Sequence, residues 1–174
     1  MSYYVEYRAR ESDIGIGHTY LVYGTRGADG KPIVRNVVGF YPAGGYVGLL
    51  VTVVAIPGVV GKADDDERLP DVNVYRRNLT AEDYEHLAQF IAQKQATTQL
   101  FNVFTNNCND FAAEVAKAIG LKVPSDRFER PESFIAELSD MNPPAASSNA
   151  ASTTMPPGGP VRSAGPSDAA NNPS

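Results

Sequence analysis

The chain is poor in the residues that staple or metallate small proteins. Its 174 residues contain one cysteine, Cys108. That excludes an internal disulfide framework and a cysteine-cluster zinc site. Two histidines, His18 and His86, are too few for a histidine-rich metal centre, so no metal or other cofactor is expected. Positive charge is also short: 15 Lys and Arg against 20 Asp and Glu leave a net charge of −5. A nucleic-acid binder carries a basic face, and that class of partner is set aside. The opening MSYYVEYRARESD has no apolar stretch after a basic start. No secretory leader is read there, and the protein is expected in the cytoplasm when synthesised. A specialised, leaderless export route would leave no such mark. The longest apolar run, residues 46–60, is interrupted by Gly48, Pro57 and Gly58. It is too short for a membrane helix, so no stable membrane insertion is expected.

What is present reads as one α+β domain followed by a tail. Composition breaks near Asp140. Residues 141–174 are mostly Ala, Pro, Ser, Gly and Asn, with one Arg, one Asp and no aromatic residue. Such a segment buries too little apolar surface to offset its ordering entropy, which reads as disorder. It is either an inert tail or a docking or export segment. The folded domain is then residues 1–140. Strand-like alternation runs over residues 3–8. Residues 18–25 and 32–41 are rich in β-branched and aromatic types and flank RGADGK, the signature of a hairpin with a longer loop. A turn at Gly44–Gly45 and strands over 48–56, 72–77 and 100–104 complete the sheet. ADDDER, residues 63–68, reads as a solvated loop. It lacks the ligand spacing of a calcium loop, and it is placed to rim a cleft. The period then becomes helical. Thr80 caps a helix over 81–96, a second helix begins around Cys108 and ends at Gly120, and a short third one covers 131–138 behind Pro131. Phe40 is assigned to the core, whereas Tyr41 and Tyr46 suit either core or cleft.

The chemistry concentrates in TNNCNDF, residues 105–111. Asn106 or Asn107 caps the helix, Asp110 supports the cap, and Cys108 falls in the first turn on the stripe that Phe111 and Ala112 continue. Free backbone N–H groups and the helix dipole favour a thiolate there. The same N–H groups suit an oxyanion formed when sulfur attacks a carbonyl. The plain alternative is a buried structural cysteine. His18 opens a strand after Ile14-Gly15-Ile16-Gly17, a reachable place from which an imidazole can activate a thiol. It equally suits an exposed strand edge. His86 lies one position off its helix's apolar stripe and reads as a surface residue. Gly15-Ile16-Gly17 is no dinucleotide fingerprint, because the third glycine is missing and a strand follows.

G-H-T-Y-L-V-Y at 17–23, followed much later by N-N-C-N-D-F at 106–111 on a helix start, resembles the circularly permuted papain-like superfamily. The group includes permuted NlpC-type peptidases, PPPDE (DeSI-like) peptidases and lecithin retinol acyltransferase-like enzymes. The closest local match is to PPPDE and permuted NlpC-like members, through Asn107 before the cysteine and Phe111 after it. The stretch I-G-L-K-V-P at 119–124 resembles their helix exit, and the resemblance spans about residues 15–124. It implies a permuted papain-like fold, an antiparallel sheet packed against the cysteine helix. It implies Cys108 as nucleophile, His18 as general base and acid, and the Cys108 N–H as an oxyanion donor. A third polar residue orients the histidine in such enzymes. No second histidine follows on the next strand, where Arg35, Asn36 and Tyr41 are the polar candidates; Asn36 fits best chemically, with a backbone carbonyl, as in a dyad, the alternative. The implied activity is thiol-dependent cleavage of an amide. NlpC-like relatives imply a peptidoglycan-peptide substrate, with delivery as an antibacterial effector and an immunity partner. PPPDE relatives imply a protein isopeptide. An acyltransferase or thioesterase, and a non-catalytic binding module, are the alternatives on the same scaffold.

Overall fold

A computed structural model describes residues 1–12, 15–44 and 54–143. Ten elements follow in order: β1 (Ser2–Arg10), β2 (His18–Arg26), β3 (Pro32–Pro42), β4 (Ile56–Gly61), α1 (Asp65–Arg68), β5 (Asp71–Leu79), α2 (Ala81–Ala96), β6 (Gln99–Phe101), α3 (Cys108–Ala118) and α4 (Pro131–Met141). The strands form one sheet in the order β5-β1-β2-β3-β4-β6, antiparallel at every pairing. The architecture is α+β, with α3 packed on β2 and β3 and α4 on β5 and β1. Tyr46, Gly45 and most of the strand expected over 48–56 lie outside the described residues, as does the tail beyond 143.

Alternation along the strands sorts side chains onto two faces. Val5, Tyr7 and Ala9 of β1, Leu21 of β2 and Phe40 of β3 join Leu87, Ile91, Phe111, Val115 and Phe134 of the helices in one buried cluster. Each such large side chain contributes roughly 1.5–3 kcal/mol on burial. The other face carries Tyr4, Tyr20 and Val22. Beside them Glu6, almost fully buried, holds Arg8, Arg26 and Arg76 together.

Three expectations are corrected. The strand expected to end at 56 instead begins there among the described residues, as β4, and runs through Pro57 and Gly58, residues that ordinarily break strands. Gly58 is needed there because a side chain would run into the Phe40 ring, 2.3 Å from the added carbon. ADDDER is no uniformly solvated loop: it contains the short helix α1, and Asp66 is fully buried. The folded part also passes residue 140. Asn142 is buried and closes the fold, with Oδ1 accepting from Lys122 N–H and Nδ2 donating to the Lys122 and Leu138 carbonyls. The Tyr75 hydroxyl donates to its carbonyl.

Candidate active site

α3 begins where its sequence dictates. Asn107 is the N-cap, and a helix start leaves four backbone N–H groups without helical partners. The capping box takes three of them. Asn107 Oδ1 accepts from Asn109 N–H (2.8 Å) and Asp110 N–H (3.1 Å), and Asp110 Oδ2 accepts from Asn107 N–H (2.9 Å). The Cys108 N–H is the one no side chain of the cap claims. The thiol is part-exposed.

β2 meets this turn from the opposite side. Thr19 Oγ1 donates to Asn109 Oδ1 at 2.5 Å. His18 is the residue before Thr19. It lies at the end of the β2–β3 pairing, which stops at Tyr20 and Gly39. His18 and Cys108 both line one cleft of about 1200 Å³.

The His18 ring stacks on Tyr41, centroid to centroid 4.4 Å. Gly39 leaves the room for this. A methyl group there would lie 2.4 Å from Tyr41 Oη and 2.9 Å from His18 Nε2. Tyr41 Oη donates to Asp66 Oδ2, and Arg10 Nε donates to Asp66 Oδ1 at 3.1 Å. Ala63 N–H also donates to Asp66. Three segments thus build a column under the histidine: Gly39 and Tyr41 on β3, Asp66 on α1 and Arg10 on β1. His18 Nε2 itself is buried with no hydrogen-bond partner.

The electrostatics differ from what a helix start alone implies. Burial pushes the Cys108 thiol up, and the N–H groups of Thr19, Asn109 and Cys108 do not fully offset it. Burial, with the nearby Arg10 charge, pushes His18 down to about 3. Burial and the Asp66 carboxylate push the Tyr41 phenol up, so it stays neutral. The resting site therefore holds a neutral thiol and a neutral imidazole, and the expected resting thiolate is not what this environment favours.

Of the three residues expected from the sequence, two reach the cleft and one does not. Asn36 is exposed and pairs with Tyr23. It sits five residues along β3 from Tyr41, about 17 Å at strand spacing. It cannot orient His18, and the register puts Tyr41 in that place. The signal was available, because a hairpin turning at Asp29-Gly30 brings residue 41 beside residue 18. His86 is exposed on α2. Among the described residues no group of three or more acidic, His or Cys side chains could hold a metal ion. Comparison with models of protein families, with curated proteins and with solved structures finds no match to the chain.

Proposed function

We propose that the chain is a thiol-dependent amidase or peptidase of permuted papain-like type, with Cys108 as nucleophile and His18 as base and then acid. The observation that carries this reading is the meeting of the β2 head with the first turn of α3, where Thr19 Oγ1 donates to Asn109 Oδ1 and both His18 and Cys108 line one cleft. A buried structural cysteine needs no histidine on the same cleft wall.

The neutral resting pair sets the order of events. The sulfur attacks the substrate carbonyl carbon as the thiol proton passes to His18. Nε2 is enclosed over Gly39, so Nδ1 receives it. The imidazolium is costly in this surrounding until negative charge forms beside it on sulfur and oxygen, so proton transfer and S–C bond formation go together. The carbonyl π electrons move to oxygen, where the unclaimed Cys108 N–H donates. Collapse of this intermediate breaks the C–N bond, and His18 returns the proton to the leaving amine. Water, deprotonated by His18, then cleaves the thioester and restores the thiol. Tyr41, Asp66 and Arg10 act through position, holding the imidazole plane.

The first substrate to try is a peptidoglycan stem peptide, as the NlpC-like resemblance suggests, with a lysine isopeptide second. Purified protein is incubated with each, and new amino groups are counted. Release that is lost in Cys108→Ala supports the reading. Release that survives in that variant contradicts it.

A further inference from the structure

The asparagines on either side of Cys108 do more than cap a helix. Asn107 Nδ2 donates to the carbonyls of Val103 (2.9 Å) and Arg127 (3.3 Å). Asn109 Nδ2 donates to the carbonyls of Arg127 (3.2 Å) and Glu129 (2.9 Å). Arg127 also pairs with Asp110 at 3.0 Å. Two loops are thereby tied to the cysteine turn, and each carries a phenylalanine beside the tied residue. Phe104 and Phe128 stand 5.0 Å apart, ring centroid to centroid, on the cleft wall. They are 52% and 58% exposed, against 2% for Phe111 in the core. Two large exposed rings, paired and tied by side-chain hydrogen bonds to a candidate nucleophile, are a costly arrangement unless something apolar covers them.

We propose that Phe104 and Phe128 form the subsite for an apolar group on the acyl half of the substrate. This rests on the Cys108–His18 reading and adds the substrate's chemistry to it. The acyl half is the part that stays bonded to the sulfur, at the turn to which both loops are tied. The group is either an apolar side chain next to the scissile carbonyl or an alkyl chain, and the two are chemically alike to a pair of aromatic rings.

The test uses chloromethyl ketones, from which the Cys108 sulfur displaces chloride, the thiol proton leaving with it. Four are compared by intact-mass labelling rates on the full chain: acetyl-glycyl, acetyl-phenylalanyl, acetyl-aspartyl and octyl. The phenylalanyl or octyl reagent is expected to react roughly tenfold or more faster than the glycyl one, and the aspartyl reagent slower. The faster of the two names the natural group as side chain or alkyl chain. The ratio to glycyl should fall towards one in Phe104→Ala and Phe128→Ala and survive in part in Phe104→Leu, with folding checked by circular dichroism. Equal rates for all four reagents on the wild type overturn the subsite. If labelling still slows in His18→Ala, the Cys108–His18 pair stands without it. Labelling by all four that ignores His18→Ala removes the pair, and the subsite with it.

Discussion

The two flanks of the Cys108 sulfur are built in different ways. The helix flank is made of consecutive residues. Asn107, Asn109 and Asp110 satisfy the start of α3 and tie two loops to it within one short motif. The strand flank is gathered from four places, with Arg10 on β1, His18 on β2, Tyr41 on β3 and Asp66 on α1. The first depends on local hydrogen-bonding rules and tolerates loss of one member. The second rests on a charged column in which Arg10 and Tyr41 both donate to Asp66, so it fails as a unit.

That contrast orders the expected effects. Asp66→Ala should be the most damaging, because it removes a fully buried carboxylate that accepts from Arg10, Tyr41 and the Ala63 N–H. A loss of about 3–5 kcal/mol is expected in urea unfolding. A loss near zero would mean the column is not structural. Gly39→Ala should come next. The added methyl collides with Tyr41 and His18, costing about 1–3 kcal/mol of stability, and labelling of Cys108 should slow more than that stability loss explains. Asn107→Ala should be milder on folding, about 1–2 kcal/mol for a lost N-cap, because α3 keeps its apolar face. Unfolding of Asn107→Ala as damaging as that of Asp66→Ala would erase the distinction between the flanks.

A pH dependence tests the strand flank without a substitution. His18 in the folded chain is held down to about 3, against about 6.5 when unfolded. Above 6.5 both states are neutral there and nothing changes. As pH falls below 6.5 the unfolded chain takes up a proton that the folded chain refuses, so stability is lost at up to about 1.4 kcal/mol per pH unit. Glu6 titrates below the usual carboxylate range, because Arg8 and Arg76 outweigh its burial. His18→Gln should flatten that window, and an unchanged slope would place His18 in contact with water.

The same contrast explains what could be read from the sequence. The helix flank was legible, down to the cap and the bounds of α2, because capping and 3.6-residue periodicity are local. The hairpin was legible too. Side-chain chemistry alone favours Asn36 over Tyr41, and only the strand register, with Tyr20 opposite Gly39, brings Tyr41 beside His18 instead. Asp66 was hidden in a run of three aspartates that reads as solvated, since nothing in ADDDER says which carboxylate meets Arg10, 56 residues away in sequence. The effect of burial on the thiol was equally out of reach. A helix start stabilises a thiolate in the open, and only the packed β2 head shows that desolvation outweighs it here.

The central claim is that His18 takes the thiol proton as the sulfur attacks. It is tested most directly by the rate at which an activated acyl ester, such as p-nitrophenyl acetate, acylates Cys108 at pH 7.5, read as the acyl adduct by intact mass. Wild type and His18→Ala are compared, with Cys108→Ala as blank. The account predicts that His18→Ala is slower by a factor on the order of 10²–10⁴ and regains rate when pH is raised towards the thiol's own ionisation. Equal rates in the two proteins at pH 7.5 would contradict it, and Cys108 would then be a packing residue at a helix start.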